Sequence, residues 1–255
     1  LLSHQGEAMG LSIHQLAEKT FASPSTVIRM CQRIGFAGYK EFRQAVTCEV
    51  AVLRMSQEQE RREITRSDSL DDIVDKVTGR NIMSLEDSKN YLDTDTLQRC
   101  VDLVREAKTV LLFGLGASLY AVRDLNLKLL RVNKPCVVND DGRAQLLQAK
   151  NASQDDLAIV LSRSGETAEV IECMKALRER DVPIVTITRR GESRAAALSD
   201  YRLYTSDGDS DPEGEDMSSC ISQLNIIDIL FTAYANGEYG YCMGPLSQSH
   251  ELGSA

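Results

Sequence analysis

The apolar and polar residues follow two different patterns along this chain. Up to about residue 107, apolar residues recur at the spacing of three and four that is typical of amphipathic helices. From Thr109 onward, short apolar runs alternate with helix-period segments, and such runs are typical of strands buried on both faces of a parallel sheet. Five strands are predicted, at Val110–Phe113, Cys136–Val138, Leu157–Leu161, Ile184–Ile187 and Tyr201–Tyr204. The alternation predicts an α/β fold with a doubly wound, five-stranded parallel sheet.

The segments between these strands predict helices that cover both faces of the sheet. They run from the turn at Gly114–Ser118 to about Val132, from Asp141 to Lys150, from Thr167 past Leu177, from Arg194 to Leu198, and from Ser218 to Tyr234. The acidic stretch from Asp207 to Asp216 contains Gly and Pro, which predicts a mobile loop before the last helix.

Residues 11–46 predict three short helices. Ser12 is the expected N-cap of the first helix, whose apolar side consists of Ile13, Leu16 and Ala17. Gly35 follows the second helix, as a glycine at a helix C-terminus commonly does. The third helix is expected from Tyr39 to Val46. This small all-α region precedes the sheet.

The second of these helices has a strong start signal and two distinct faces. Ser23 followed by Pro24 suits a helix start, and the helix is expected to end near Ile34. Its predicted buried side consists of Val27, Met30, Cys31 and Ile34. Its predicted outer side consists of Ser25, Thr26, Arg29, Gln32 and Arg33. A basic, hydroxyl-rich second helix after a tight turn fits a helix-turn-helix that places arginines against DNA, and it also fits a plain three-helix bundle.

The region between the two patterns predicts a linker and two further helices. The tract from Gln57 to Ser69 is rich in Glu, Arg, Gln and Ser. Amphipathic helices are expected from Asp68 to Leu85 and from Thr94 to Ala107; the first has a stripe of Ile73, Val77, Ile82 and Leu85, and the second of Leu97, Val101 and Val104. We therefore expect two domains, residues 1–66 with the helix-turn-helix and linker, and residues 67–255 with the sheet and its preceding helices.

Charge is distributed unevenly between these two regions. The chain of 255 residues has a net charge of −9. Residues 1–66 hold nine Lys and Arg against seven Asp and Glu, whereas the other residues hold 20 against 31. Only the first region has more basic than acidic residues, which favours contact with a polyanion. The asymmetry therefore indicates different partners for the two halves.

The segment from Val160 to Val170 carries the clearest candidate chemistry. It leads from a buried strand into a helix and contains Ser162, Ser164, Gly165 and Thr167. The N-terminus of a helix has unpaired N–H groups and a positive dipole end, so hydroxyls and a glycine there can surround a phosphate or carboxylate. Alternatively, Ser164 or Thr167 serves only as the N-cap of the helix.

A second turn with glycines follows the first strand. Gly114 and Gly116 resemble the start of a dinucleotide-binding turn, but Leu119 stands where the third glycine would be, which disfavours a nicotinamide cofactor. Both turns are expected at carboxyl ends of parallel strands, where ligands of open α/β sheets gather. Ser118 and the hydroxyls of Ser162, Ser164 and Thr167 could therefore close around one phosphate.

The remaining composition excludes several classes of protein. The seven cysteines contain no C-x-x-C pair, which favours reduced thiols in a cytoplasm over a zinc site or a disulfide framework. The only histidines are His4, His14 and His250, so no metal site is predicted. No apolar run approaches the roughly 20 residues of a membrane span, and the polar start does not resemble a signal peptide. The first residue is Leu rather than Met, which indicates a fragment or a renumbered sequence.

Together these motifs resemble a known family. Gly114–Ser118 and Ser162–Thr167 are similar to the G-x-G-x-S turn and the S-x-S-G-x-T phosphate loop of the sugar isomerase (SIS) domain, which implies a flavodoxin-like three-layer sandwich. Ser23–Arg29 and Ile34–Tyr39 resemble the helix-turn-helix of MurR/RpiR-type transcriptional regulators. The resemblance covers about residues 11–235, although the expected extra helix before residue 11 is cut short.

The resemblance implies a cytoplasmic bacterial regulator of carbohydrate metabolism that binds operator DNA and senses a phosphorylated sugar or sugar acid. The implied ligand-binding residues are Gly116, Ser118, Ser162, Arg163, Ser164, Gly165 and Thr167. The implied DNA-binding residues are Ser25, Thr26, Arg29 and Arg33. It also implies a homodimer or homotetramer, and neither a cofactor nor catalysis.

Two other functions fit the same residues. A phosphosugar isomerase or lyase on this scaffold would need a base near the sugar carbons, and Glu166 and Glu169 are carboxylates next to the phosphate loop. Residues 15–249 contain no histidine for ring opening, which disfavours the enzyme. The other alternative is a small-molecule binding module whose N-terminal helices contact only protein.

Overall fold

The computed structural model describes residues 11–47, 64–206, 217–238, 240 and 242. The predicted loop at Asp207–Asp216 lies outside these residues, as do the segment before residue 11 and the linker up to residue 63. The chain forms two compact units, Leu1–Val77 and Thr78–Ala255.

The first unit contains the three predicted helices. Helix α1 is Ile13–Lys19, α2 is Pro24–Arg33, and α3 is described over residues 39–47. Ser12 caps α1 as predicted, because its hydroxyl accepts a bond from Gln15 N while the Gln15 side chain accepts from Ser12 N. A small core of Leu16, Ala17, Val27 and Cys31 joins α1 to α2.

The prediction for Ile34 was wrong. Ile34 is the C-cap of α2 rather than part of its buried side, and it is 53% exposed. The chain leaves the helical path at this position, since Gly35 follows with a φ of +96°. Because α2 ends before Ile34, this residue does not reach the buried position beside Cys31 that the helical spacing predicted for it.

Two helices precede the sheet. Helix α4 is Leu70–Asn90 and α5 is Thr94–Glu106. Helix α5 buries Val101 and Val104 as predicted. The apolar stripe predicted for α4 is wrong at two of its four positions: Val77 and Ile82 are 40% and 50% exposed, whereas Ile73 and Leu85 are half-buried. The helix instead buries small polar side chains, Ser84 and Ser88, which allow close approach of its C-terminal half to the rest of the second unit.

The sheet is parallel throughout, with the strand order β2-β1-β3-β4-β5. Its strands are β1 Val110–Phe113, β2 Cys136–Val138, β3 Leu157–Leu161, β4 Ile184–Arg189 and β5 Tyr201–Thr205. The connecting helices are α6 Ala117–Arg131, α7 Gly142–Asn151, α8 Ala168–Arg178 and α9 Arg194–Leu198, and α10 Met217–Gly237 follows the last strand. The predicted doubly wound fold is confirmed.

The two faces of the sheet bury two separate cores because successive strand residues point to opposite faces. Leu112, Ile159 and Ile187 pack with α5, α6 and α10 on one face. Phe113 and Val160 pack with α8 on the other. The central strands β1 and β3 are fully buried, as their continuous apolar runs predicted. No helix within the described residues is long and apolar enough to cross a membrane.

Candidate functional site

The strand order places the two predicted turns at one point of the sheet. Strands β1 and β3 are neighbours, with Phe113 paired to Val160, although β2 lies between them in sequence. The chain therefore winds outward in opposite directions from β1 and β3, and a crevice opens between the loops that follow them. The turn at Gly114–Ser118 and the loop at Ser162–Thr167 follow these two strands, so they are adjacent at the carboxyl edge.

The Ser162–Thr167 segment, here called the phosphate loop, is shaped by its own serines. The buried Ser162 Oγ accepts a hydrogen bond from Gly165 N at 3.2 Å and lies 3.4 Å from Thr167 Oγ1. Ser164 Oγ accepts a bond from Glu166 N at 3.1 Å. These short-range bonds fold the segment back between β3 and α8, so three of the predicted hydroxyls belong to one compact loop.

Thr167 occupies the N-cap position of α8, with an extended backbone, but its side chain makes no cap hydrogen bond. Thr167 is therefore the N-cap residue, as the alternative interpretation has it, but without the hydrogen bond of an ordinary side-chain cap. The N–H groups of the first turn of α8 lack the usual side-chain acceptor, and they coincide with the positive end of the helix dipole. This arrangement suits a bound anion.

Gly165 is required by the packing of the loop against its neighbour. Its φ is +67°, and a Cβ added to it would lie 2.7 Å from Ser193 Cβ and closer still to Ser193 Oγ. The carbonyl of Gly165 accepts a bond from Ala195 N at 3.0 Å. The carbonyl of Arg163 accepts bonds from Arg189 N and Thr188 Oγ1. The segment after β4 thus supports the phosphate loop from one side, whereas the Arg163 side chain is exposed.

Glu166 is held by the residue that starts α9. Its two carboxylate oxygens accept bonds from Arg194 N at 2.8 Å and Arg194 Nε at 2.6 Å, and its carbonyl accepts a third bond from the guanidinium. These bonds from Arg194, together with the positive charges of Arg194 and Arg189, lower the pKa of Glu166. An ionised carboxylate committed to an arginine is a poor general base.

The turn after β1 is anchored by two glutamines that the sequence analysis did not select. Gln145, from α7, accepts a bond from Gly114 N and donates to the carbonyls of Gly114 and Asn139. Gln223, from α10, donates to Ser118 Oγ at 3.1 Å. Both glutamines are 1% exposed. The sequence signal that could have identified these glutamines is their position on the buried side of amphipathic helices. A buried side-chain amide needs hydrogen-bond partners.

Three loops meet at this end of the sheet. Gly116 caps α6 with φ +57° and ψ −131°, a conformation that side chains disfavour, and its missing Cβ faces open space. A Cβ on Gly142, at the start of α7, would lie 3.8 Å from both Leu115 and Glu169. The loops after β1, β2 and β3 therefore converge. The predicted residue Gly116 lies in the first of these loops, and the predicted Ser118 is buried in the first turn of α6.

Two open grooves lie elsewhere on this unit. One, of about 470 Å³, runs along β2 and α7 between Val137 and Leu147. The other, of about 430 Å³, lies between Leu103 and Pro183 at the amino ends of the strands. Neither groove is lined by a residue of the two predicted turns.

The predicted DNA-contacting residues share one face of α2. Ser25, Thr26, Arg29 and Arg33 are all exposed, as predicted. Ser23 Oγ accepts a bond from Thr26 N and lies 2.9 Å from Thr26 Oγ1, so it caps the helix and orients the Thr26 hydroxyl of that face. The turn before α2 contains Phe21, which is fully exposed with φ +51°. An exposed helix face that carries two arginines can meet a polyanion.

Among the described cysteines, Cys31, Cys100, Cys173 and Cys242 are buried, whereas Cys136 and Cys220 are half-buried. Burial raises the pKa of Cys100 to about 12 and that of Cys173 to about 11. Among the described residues, no group of three His, Cys, Asp or Glu side chains is arranged to hold a metal ion.

Comparisons with known proteins match both halves of the chain. The SIS domain model matches residues 103–233, and the model of the helix-turn-helix domain of the rpiR family matches residues 1–52. An uncharacterized HTH-type transcriptional regulator of Bacillus subtilis, YbbH, is 28% identical over 98% of this chain and 87% of its own length. A second such regulator, from Caldanaerobacter subterraneus, is 28% identical over 95% of this chain and 85% of its own length.

Solved structures agree with this assignment. The NanR protein of Vibrio vulnificus, complexed with ManNAc-6P, has a TM-score of 0.67 and 26% identity over 98% of this chain and 88% of that one. Phosphoheptose isomerase GmhA of Neisseria gonorrhoeae matches 66% of this chain and all of its own length, with a TM-score of 0.57 and 18% identity, which shows a shared fold. The chain belongs to the rpiR family of helix-turn-helix proteins with a SIS domain.

Proposed function

We propose that this protein is a transcriptional regulator that binds operator DNA through α2 and senses a phosphorylated sugar at the phosphate loop. One observation carries the proposal: a SIS-type phosphate loop and a helix-turn-helix with an exposed basic face stand in one chain whose relatives are named transcriptional regulators. The similar NanR protein was solved with ManNAc-6P. An N-acetylated hexosamine 6-phosphate is therefore a suitable first probe.

The phosphate of the effector would lie at the start of α8. There it would accept bonds from the first-turn N–H groups, which have no side-chain cap, and from the hydroxyls of Ser162, Ser164 and Thr167. Gly165 keeps the loop close to α9, and the exposed Arg163 adds a positive charge at the rim. Across the crevice, Gly116 gives open space for the ligand, and Ser118 supplies a further hydroxyl.

Operator DNA would meet the outer face of α2. Arg29 and Arg33 would contact phosphates or base edges, while Ser25 and Thr26 would lie at the helix start in the major groove. We place the protein in the cytoplasm, where its operator lies. We also expect a homodimer or homotetramer, because a two-fold protein matches two half-sites on DNA.

The sensor half is tested by thermal unfolding with ManNAc-6P, glucose 6-phosphate and unphosphorylated N-acetylmannosamine. A ligand at 100 times its dissociation constant stabilises the folded protein by roughly 2.7 kcal/mol. We expect stabilisation by a phosphorylated sugar only, and its loss in the double variant S164A/T167V. The matched control is S153A/T96V, at two positions away from the loop, of which Ser153 is exposed and Thr96 is half-buried. If a phosphorylated sugar still stabilised S164A/T167V, the proposal that this loop binds the phosphate would be refuted.

We also infer that the effector is bound without turnover, even though the fold is shared with isomerases. Glu166 is committed to Arg194, and residues 15–249 contain no histidine for ring opening. Incubation of the protein with a sugar that stabilises it, followed by analysis of the sugar by NMR, should return the sugar unchanged. Multiple turnovers per protein molecule would establish the enzyme instead.

A further inference from the structure

Gln223 links the predicted effector site to a distant helix. Its Nε2 donates to Ser118 Oγ at 3.1 Å, across 105 residues of sequence. Both side chains are buried, with exposed fractions of 1% for Gln223 and 7% for Ser118. A hydroxyl has one proton and can donate it to a ligand while it accepts from an amide. Ser118 can therefore contact a phosphosugar and remain bound to Gln223.

Two residues farther along α10, Asn225 continues this connection. Its Nδ2 donates to Ser88 Oγ at 3.2 Å, and Ser88 is fully buried. Ser88 lies near the C-terminal end of α4, the helix that begins at Leu70. Asn225 is half-buried, so the bond is shielded from water on the Ser88 side, where a lost partner would leave a buried hydroxyl with one bond fewer. This bond joins α10 directly to the C-terminal part of α4.

Other segments from the carboxyl edge of the sheet contact the same end of α4. Ser206, directly after β5, donates to Asp87 Oδ2 at 3.0 Å. Arg190, in the turn after β4, lies over the ring of Tyr91 at 5.1 Å from its centroid. The end of α4 is therefore in contact with the edge where the effector would bind, whereas its start at Leu70 belongs to the unit that holds the helix-turn-helix.

We propose that Gln223 positions Ser118 for the effector and that α10 passes the occupancy of the site to α4 through Asn225 and Ser88. The proposal rests on the function proposed above. A ligand changes a distant element only if it binds two arrangements of that element with different affinity. In this protein the two arrangements differ in how α10 packs between Ser118 and Ser88. Helix α4 carries this difference in position toward residue 70.

The first test is a double-mutant cycle with ManNAc-6P as the probe, measured by titration calorimetry. Q223M keeps the volume of the side chain and removes its donor, and S118A removes the hydroxyl. Each single variant should weaken binding about 5- to 100-fold, as expected for a lost buried hydrogen bond. The double variant should bind no more weakly than S118A, because Gln223 acts through Ser118. This role would be overturned if the fold-losses of the two single variants multiplied in the double variant. It would also be overturned if Q223M bound the probe as tightly as the wild type does.

A second variant guards against misfolding of Q223M. Q223E is isosteric and can only accept from Ser118, so it ties up the serine proton and adds a negative charge. It should bind the probe more weakly than Q223M does. The exposed variant Q98M, on α5, is the matched control and should bind as the wild type does. Equal affinity of Q223E and wild type would refute the proposal.

The second test separates transmission from binding. Hydrogen exchange of the peptides from α4 is measured with and without ManNAc-6P in the wild type and in N225L, which cannot donate to Ser88. We expect N225L to bind the probe within about threefold of wild type, while the probe-induced change in α4 is lost. An N225L protein whose α4 still responds overturns the proposed route. A wild type that binds no phosphosugar overturns the proposed function, and this inference with it.

Discussion

Gly165 lies so close to Ser193 that the phosphate loop has no room for a side chain at this position. The contact joins the loop after β3 to the loop after β4, and the bond from Ala195 N to Gly165 O strengthens it. The glycine of the S-x-S-G-x-T motif is therefore needed for packing and for its positive φ, in addition to any contact with a ligand.

The variant G165A should lose both stability and effector binding. A left-handed backbone costs a non-glycine residue about 1–2 kcal/mol, and the overlap with Ser193 adds to that cost. For a unit of this size, 1 kcal/mol lowers the Tm by about 2–4 °C. Thermal unfolding and effector titration measure the two effects. The variant G38A is the control, because Gly38 has no positive φ and open space around it.

The steric part of this effect can be isolated. Replacing Ser193 by Gly in the G165A background removes the two atoms that the new Cβ would overlap most, and leaves Thr188 Oγ1 at 3.3 Å. Ser193 also caps α9 by accepting a bond from Ala196 N, so the single variant S193G is the reference. We expect G165A to cost less stability in the S193G background than in the wild type, although the strain of the positive φ remains. An equal cost in both backgrounds would show that the Ser193 contact does not determine the choice of glycine.

The bonds between Glu166 and Arg194 should give the loop a pH-dependent stability. The folded protein lowers the pKa of Glu166, so the stabilisation is complete above the unfolded value of about 4.3 and is lost as the pH falls through the lowered folded value. The variant E166Q cannot ionise at this position, so it lacks this pH-dependent stabilisation. The Tm difference between wild type and E166Q should be constant from pH 5 to 7 and shrink below pH 4. The neighbouring variant E192Q controls for general charge effects, and an E166Q difference independent of pH contradicts the prediction.

Loss of the Gln145 side chain should loosen the turn after β1. The variant Q145L leaves the amide of Gly114 and the carbonyls of Gly114 and Asn139 without this partner in a buried setting. Each unsatisfied buried group costs about 1–3 kcal/mol. Chemical denaturation should show a large loss of stability in Q145L and little change in Q98L, whose glutamine is exposed. A stable Q145L would mean that the turn does not depend on this anchor.

The basic face of α2 should determine DNA affinity. With a duplex selected by the wild-type protein from a random pool, R29A and R33A should each weaken binding by about 1–3 kcal/mol where the arginine contacts a base, and should reduce the salt slope by about 1 where it contacts a phosphate. Fluorescence anisotropy at several salt concentrations distinguishes the two. R180A, an exposed arginine in the second unit, should bind DNA normally. Unchanged binding by R29A and R33A would favour the alternative that these helices contact only protein.

The sequence by itself determined the elements and their order. The apolar runs at Leu157–Leu161 and Val110–Phe113 specified buried strands, because a strand covered on both faces needs an apolar residue at every position. The start signals at Ser12 and Ser23 are local, so the caps that they form could be read directly. The hydroxyls of the phosphate loop were also identified, since the loop and the helix that it begins are contiguous in sequence.

The tertiary structure decided the contacts between segments distant in sequence. Periodicity gave α4 an apolar buried side, yet that helix buries Ser84 and Ser88, because only the packed neighbours determine which face is covered. Ser118 was found from its turn, whereas its partner Gln223 lies 105 residues away on another helix. Gly165 was assigned to the ligand, but its missing side chain also makes room for Ser193. Such partners are brought together by the winding of the chain around the sheet, and no local pattern encodes them.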